Sequence, residues 1–183
     1  FTNATGSENV CCPVPWAGAA ALPGQGLLPQ VLNLSRLDGS HAGGPFYQVI
    51  NCQIGFTVAP VHARSTLYAT DVAKMLMVPI FHVNGEDPEA AVYAAKLALE
   101  YRKEFGEDVV VEVICYRRHG HNEGDEPYFT QTLMNDKNGK STSMNEIYAE
   151  RLVKAGHVAQ EFAERAQQIT TRLKEPYEAI RRP

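Results

Sequence analysis

The amino-acid sequence predicts an α/β fold with a doubly wound parallel sheet. Residues 109–116 form a β-branched, almost wholly apolar run, which is typical of a strand buried on both faces. Similar runs alternate with helical segments along the chain, and strands that alternate with helices form parallel sheets. Asp87-Pro88-Glu89 supplies an N-cap, a first-turn proline and a first-turn acid, so a helix is predicted to begin there.

The first predicted strand is a weak one. Residues 10–16 have strand composition, but they include Pro13 and Pro15. Proline cannot donate to a β-ladder, so this strand is expected to be weak or to lie at an edge of the sheet. Residues 17–26 are mostly small and predict a turn.

The remaining elements follow from periodicity and turn residues. Further strands are predicted at residues 46–52, 79–83 and 109–116. Helices are predicted through residues 31–37, 71–77, 87–105, 143–156 and 158–176. Between these, residues 53–70 are expected to form a long loop and residues 135–139 a turn.

Composition limits the class of protein. The chain has 183 residues, 44% hydrophobic, with a net charge of −4, which indicates one soluble domain and no broad nucleic-acid surface. No apolar run approaches the roughly 20 residues of a membrane span, so no membrane association is expected. The four cysteines fit neither a zinc nor a disulfide framework. The chain begins with Phe1 and not Met, so we expect a fragment or a processed piece.

A dense polar cluster follows the fourth strand. The run CYRRHGHNEGDEP, residues 115–127, is named here the Arg–His loop, and it holds two arginines, two histidines and three carboxylates. It leaves the carboxyl end of a buried strand, where open α/β sheets bind ligands. Three interpretations stay open: a solvated loop whose charges pair with one another, a cupin-like metal site at His119, His121 and Glu126, and an anion or cofactor loop. The helices argue against the cupin, which requires an all-β chain.

Two further strand ends are expected at the same edge. The first strand ends at Gly18-Ala19 and the second at residues 51–53. Helices that start at this edge direct their amino ends toward the crevice, which favours a diphosphate. The alternative is that the glycines serve tight turns alone.

Seven runs resemble the thiamine-diphosphate-dependent first component of the 2-oxoglutarate dehydrogenase complex. They lie at residues 24–26, 53–57, 63–66, 70–75, 79–85, 87–90 and 115–127. The resemblance covers residues 17–157 and implies the diphosphate-side domain of the thiamine-diphosphate-binding fold. Residues 1–140 are then an incomplete domain of this kind, and residues 141–183 a helical C-terminal extension of it.

The resemblance implies an activity and partners. Proteins of this family decarboxylate 2-oxoglutarate on thiamine diphosphate, with Mg²⁺, in the tricarboxylic acid cycle. They pass the succinyl group to lipoamide on a lipoyl acyltransferase and form homodimers. The location is cytoplasmic in a bacterium and the mitochondrial matrix in a eukaryote. This chain lacks the domain whose glutamate activates the cofactor, so alone it is expected to be inactive.

Family site residues are only partly present. The resemblance implies that Gly18, Gln25, Asn51, Ile54 and Arg117 bind the cofactor and that His119 and His121 serve in catalysis. The backbone carbonyl of Ile54 matches a magnesium ligand. Ala19 and Cys52 stand where the family has the two side-chain ligands, an aspartate and an asparagine. The alanine side chain has no oxygen to offer Mg²⁺, and the sulfur of cysteine is a poor ligand for this ion.

Three readings of the whole protein therefore stay open. The main one is a 2-oxoglutarate dehydrogenase. The second is a non-catalytic fragment or degenerate paralogue that does not bind the cofactor, and the third is an enzyme similar to 2-oxoadipate dehydrogenase. In each, we expect Ala19, Ile54 and His121 to lie around one crevice at the carboxyl edge of the sheet.

Overall fold

The structure is a computed structural model, and two compact units make up the chain. They comprise Phe1–Ser141 and Thr142–Pro183. The residues described are 16–18, 21–24, 26–39, 43–157, 164–165, 168–169 and 171–172. The relation of the second unit to the first, as an extension of one domain, stays a prediction.

The first unit contains a four-stranded parallel sheet. Its strands are β1 (Trp16–Gly18), β2 (Phe46–Asn51), β3 (Ile80–Asn84) and β4 (Val109–Ile114), in the order β1-β2-β4-β3. The predicted α/β class and parallel sheet are thereby confirmed. The weak first strand lies at an edge, as Pro13 and Pro15 predicted, although residues 10–15 are outside the described part.

Helices cover both faces of this sheet. The helices of the first unit are α1 (Ala21–Gly24), α2 (Leu27–Leu34), α3 (Pro60–Ala63), α4 (Pro88–Phe105) and α5 (Thr132–Lys140), with 3₁₀ helices at Ala69–Leu76 and Pro127–Phe129. Successive strand residues point to opposite faces. Tyr47, Val49 and Val110 therefore pack against α1, α2 and the first 3₁₀ helix. Phe46, Val109 and Val111 pack on the other face, against α4.

The predicted long helix is confirmed as α4. Asp87 Oδ1 accepts a hydrogen bond from Ala90 N at 3.1 Å, and Pro88 occupies the first helical position. The helix ends at Gly106, whose φ of +66° lies in the left-handed region that glycine adopts without strain. Ala94 and Ala98 are its buried residues, so the small residues of α4 face the sheet.

The turn predicted at residues 135–139 is wrong, because these residues lie within α5. Asn135 is buried, and its Nδ2 donates to the carbonyl oxygen of Pro127 at 3.0 Å. Asn138 Nδ2 donates to a carbonyl of the Arg–His loop at 3.2 Å. Asparagine and glycine favour turns in isolation, but here the two asparagine amides bond to carbonyls outside the segment while it is helical.

Three smaller expectations also need correction. The predicted turn of small residues contains α1, because burial of Leu22 in the first core cluster favours a helical turn there. The predicted loop 53–70 contains the short helix α3. Helix α2 ends at Leu34, short of the predicted residue 37, and Ser35 N donates to Leu32 O in a tighter i→i+3 bond.

The second unit contains α6 (Met144–Lys154). Ser143 N donates to Glu146 at 3.1 Å, which completes the predicted start of this helix. Gly156 has a φ of +73° just beyond its end. Described residues between 164 and 172 are helical, whereas the rest of the last predicted helix lies outside the described part.

None of the helices that the structure describes is long and apolar enough to cross a membrane.

Candidate functional site

The carboxyl ends of the four strands lie at one edge of the sheet. Asn51 ends β2 in register with Ile114, the last residue of β4. Gly18 ends β1 opposite Ile50, and Asn84 ends β3 opposite Ile114. Because all the strands are parallel, these ends form the carboxyl edge, where open α/β sheets bind ligands.

A buried carboxylate holds the side chain of Asn51. Glu112 is fully buried, and its Oε1 accepts a hydrogen bond from Asn51 Nδ2 at 2.7 Å. Its Oε2 accepts from Thr70 Oγ1 at 3.0 Å and lies 2.7 Å from His82 Nδ1. The His82 ring packs on Tyr68, with 3.9 Å between ring centroids. A buried carboxylate is costly unless its oxygens are hydrogen-bonded, and both oxygens of Glu112 are.

The other end of the Asn51 side chain shapes the exit from β2. Asn51 Oδ1 accepts from Gln53 N at 2.9 Å. Gln53 has a φ of +58°, a left-handed conformation that residues other than glycine seldom adopt. Its Nε2 donates to the carbonyl oxygen of Cys115 at 2.9 Å. The exit from β2 therefore turns sharply and stays attached to the exit from β4.

The carbonyl oxygen of Ile54 already has a donor from within the chain. The thiol of Cys52 donates to it across an Sγ–O distance of 3.4 Å. Sulfur is a weak donor, but the contact turns the side chain of Cys52 toward this oxygen.

The Arg–His loop folds back on the loop that follows β2. Arg117 Nη2 donates to Phe56 O at 2.9 Å and lies 3.7 Å from Asp125 Oδ2. The same Oδ2 accepts from His121 N at 2.8 Å. The rings of Phe56 and His121 meet edge to face, with 4.9 Å between centroids. These contacts tie the two loops together at the carboxyl edge.

The remaining basic side chains of this loop face solvent. Arg118, His119 and His121 are exposed. One arginine and two histidines thus present their side chains to solvent at the end of β4, beside the half-buried Arg117. Guanidinium and imidazole groups bind phosphate oxygens well.

Comparison with known proteins decides the family. Residues 3–181 match the family model described as dehydrogenase E1 component. The chain belongs to the dehydrogenase E1 component family. Enzymes of this E1 family depend on thiamine diphosphate.

Two curated relatives have names that refer to 2-oxoglutarate. A multifunctional 2-oxoglutarate metabolism enzyme from Mycolicibacterium vanbaalenii is 47% identical over 154 residues, which are 84% of this chain and 12% of that protein. The 2-oxoglutarate dehydrogenase E1 component of Azotobacter vinelandii is 46% identical over 160 residues, 87% of this chain and 17% of that protein. The chain therefore spans only 12% to 17% of the length of these relatives.

The E1 chain brings several predicted site residues together. Asn51 ends β2 at the carboxyl edge, and the two joined loops there carry Cys52, Ile54, Arg117 and His121. The Arg–His loop shares this edge with Gly18, whereas the crevice expected around Ala19, Ile54 and His121 stays a prediction. Ala19 and Gln25 lie outside the described residues, and His119 is exposed on the loop without a contact that assigns it a role.

The hydrogen-bond donors at this edge suit a diphosphate, but the side chains at the family's metal-ligand positions do not suit Mg²⁺. Magnesium prefers an octahedron of oxygens. Cys52 offers a soft sulfur that is turned toward the Ile54 carbonyl, and Ala19 has no side-chain oxygen. Within the described residues no group of three or more histidine, cysteine or acidic side chains could hold a metal ion. The cupin-like site at His119, His121 and Glu126 is thus excluded, as is its all-β fold.

Sequence reasoning missed the network around Glu112. One charged residue in the otherwise apolar run VVVEVI was the available signal, since a buried charge requires partners. Thr70 and His82, which supply two of those partners, lie 42 and 30 residues away in the sequence. No local pattern connects them, so only the folded chain identified them.

Proposed function

We propose that this chain forms the diphosphate-side part of the active site in a thiamine-diphosphate-dependent 2-oxoglutarate dehydrogenase. The whole protein then decarboxylates 2-oxoglutarate oxidatively and transfers the succinyl group to lipoamide. The observation that supports this most is the attachment of the Arg–His loop to the loop after β2, through Arg117 and Phe56. This attachment gathers cationic donors at the ligand-binding edge of the sheet.

Each group in this proposal has a separate task. Arg117 and His121 meet the negative charge of the diphosphate, and Arg117 keeps its orientation because Phe56 O and Asp125 hold it. Asn51 fixes the turn from which the Ile54 carbonyl projects. When bound, the cofactor supplies the thiazolium carbon at which 2-oxoacids lose carbon dioxide. His119 and His121 are the proposed proton-transfer groups.

The rest of the active site and the partners are also proposals. The domain that activates the cofactor comes from another part of a longer chain or from a second subunit. The protein acts as a homodimer beside a lipoyl acyltransferase in a multienzyme complex, in the bacterial cytoplasm or the mitochondrial matrix. Support comes from the relative named 2-oxoglutarate dehydrogenase E1 component.

The test is release of carbon dioxide by the full protein that contains this chain. We expect release from 2-oxoglutarate that depends on added thiamine diphosphate and exceeds release from 2-oxoadipate. Arg117→Met should reduce it by roughly 10-fold or more, since a charged contact to phosphate is lost. Arg36→Met is the matched control, because Arg36 is an exposed arginine that pairs with half-buried Glu107, which precedes β4 and so lies at the amino edge of the sheet. A folded protein that releases no carbon dioxide from either substrate overturns the proposal.

A second candidate is a paralogue that keeps the fold without taking the cofactor. The specific observation in its favour concerns Cys52, which stands where the family has a metal-binding asparagine. Its thiol donates a hydrogen bond to the carbonyl oxygen of Ile54, the oxygen that matches a further metal ligand of the family. Calorimetric titration of the full protein with thiamine diphosphate and Mg²⁺ separates the two candidates. Binding supports the dehydrogenase, and its absence in a folded protein supports the paralogue.

A further inference from the structure

Two cysteines lie side by side where β2 and β4 end. The register pairs Asn51 with Ile114, so the next residues along the two strands are Cys52 and Cys115. The ladder continues to this point, because Cys115 N donates to Asn51 O at 2.8 Å. Neighbouring parallel strands lie about 4.8 Å apart, which is within the range of roughly 4.4–6.8 Å between the Cα atoms of a disulfide.

The two side chains also share a face of the sheet. Asn51 bonds to Glu112, so these residues point to the face that carries the first core cluster. Because side chains alternate along a strand, Cys52 and Cys115 follow on the opposite face, which α4 covers. Both are free and half-buried.

Other contacts keep the two strand ends close at this level. The Gln53 side chain donates to the carbonyl oxygen of Cys115 at 2.9 Å, which bridges the chains just beyond Cys52. Gly85 crowds the other side, since a Cβ at Gly85 would lie 3.0 Å from Cys115 Cβ. Cys115 is therefore held between β2 and the end of β3, with Cys52 on its β2 side.

The thiols are also near enough to influence each other electrostatically. Burial raises the pKa of the Cys115 thiol, and the charge of Cys52 raises it further. This influence agrees with the register in placing the two sulfurs in one neighbourhood.

We propose that Cys52 and Cys115 are a modification site that forms a reversible disulfide on exposure to a peroxide. One thiolate attacks a peroxide oxygen, the O–O bond breaks, and the products are a sulfenic acid and water or an alcohol. The second thiol attacks the sulfenic sulfur, an S–S bond forms and water leaves. Two thiols lose two electrons in total and the peroxide gains them. A dithiol reductant reverses the change.

Oxidation alters the candidate site directly. The Cys52 sulfur in a disulfide no longer has a hydrogen to donate to the Ile54 carbonyl. The exits of β2 and β4, which carry the two loops of the site, become covalently joined. This inference does not depend on the proposed enzymatic activity, because it requires only the two strand ends.

Tryptic peptide mapping of the full protein tests the proposal. Cleavage after Arg36, Arg64, Lys103 and Arg117 puts Cys52 on peptide 37–64, Cys115 on peptide 104–117 and Cys11 with Cys12 on the peptide that ends at residue 36. The protein is titrated with hydrogen peroxide, alkylated, and digested without reduction. We expect a cross-linked pair of peptides 37–64 and 104–117, two hydrogens lighter than their sum, that dithiothreitol separates.

Two substitutions supply controls. Cys52→Ser and Cys115→Ser should each abolish the cross-linked pair and leave the remaining cysteine open to alkylation after reduction. The proposal is overturned if, in the oxidised native protein, Cys52 and Cys115 carry separate sulfinic acids or stay alkylated. It is equally overturned if either of them is linked to the Cys11 and Cys12 peptide. Mapping of the native protein gives this answer even if a variant fails to fold.

Discussion

At the scale of single residues, two buried polar side chains on the same face of the sheet differ in how they are satisfied. Glu112 is fully buried, and both of its carboxylate oxygens have partners. The hydroxyl of Tyr47 is buried and has no hydrogen-bond partner among the described residues. Removing the first side chain leaves several groups unpaired, whereas removing the second hydroxyl leaves none.

Replacing Glu112 by alanine should be strongly destabilising. The change leaves the Asn51 amide, the Thr70 hydroxyl and His82 without their common acceptor, so we expect a loss of about 3–5 kcal/mol in the free energy of unfolding. Glu107→Ala is the control, because Glu107 pairs with Arg36 at 2.7 Å and both side chains are partly exposed, and a surface pair is worth about 0–1 kcal/mol. Denaturant unfolding measures both. Equal losses would show that the Glu112 network contributes nothing specific.

Stability at alkaline pH should depend on Tyr47. Burial, with a further contribution from the charge of Asp108, raises the pKa of Tyr47 from 10.0 to about 12. Between these values the unfolded chain releases the proton while the folded chain retains it, so the free energy of unfolding falls as pH rises. Two pKa units correspond to about 2–3 kcal/mol. Tyr47→Phe should be neutral or stabilising at pH 7 and should lack this part of the alkaline fall.

The comparison that isolates this effect is the difference between native protein and Tyr47→Phe in unfolding free energy at pH 9, 10, 11 and 12. Other groups titrate in this range in both proteins and cancel in the difference. A difference that does not change with pH would contradict the role given to Tyr47.

At the scale of elements, the Arg–His loop contains two glycines in different surroundings. A Cβ at Gly120 would lie 2.4 Å from Asp125 O, whereas the nearest atom to a Cβ at Gly124 is Asn122 Oδ1 at 3.6 Å. Asp125 also accepts from His121 N. Any side chain at Gly120 therefore has to displace the backbone that positions the basic residues.

Alanine substitutions at Gly120 and Gly124 test whether the close approach at Gly120 holds the loop in place. Gly120→Ala should move Asp125 away from His121 N, so amide hydrogen exchange at residues 117–126 should accelerate by roughly 10-fold or more. Gly124→Ala should leave the exchange unchanged. The reverse order, or equal acceleration, would show that the close approach at Gly120 does not hold the loop.

At the scale of the whole molecule, substitutions that restore the family's two side-chain metal ligands should restore magnesium-dependent binding of thiamine diphosphate. Ala19→Asp restores a charged oxygen, and Cys52→Asn restores a neutral one while removing the thiol from the Ile54 carbonyl. We expect the double variant to bind thiamine diphosphate in a magnesium-dependent manner and each single variant to bind at least about 10-fold more weakly. The ligands belong to one rigid octahedron, so they should act as a unit.

Calorimetric titration with and without Mg²⁺ measures this. A folded double variant without magnesium-dependent binding would show that these positions do not limit cofactor capture, and that other parts of the full protein do. Equal binding by the single and double variants would contradict the coupling.

The parallel sheet and its long helix were predictable because local residues determine them. Asp87, Pro88 and Gly106 mark the bounds of α4, and the run in β4 is apolar except for Glu112. The turn expected at residues 135–139 failed for the opposite reason. Its composition favours a turn, but the Asn135 amide finds a carbonyl partner only in the helix, and that partner becomes close only after folding.

The sequence by itself determined the α/β class, a first strand that is weak or at an edge, and the resemblance of the Arg–His loop to those of E1 dehydrogenases. Alternation of apolar runs, proline content and motif order are local properties of the chain. Tertiary structure decided which distant groups meet. Glu112 gathers Asn51, Thr70 and His82, and strand register brings Cys52 beside Cys115, which is 63 residues further along the chain. These contacts depend on packing and register, because residues that are distant in the sequence come together only when the strands pair and the helices cover the sheet.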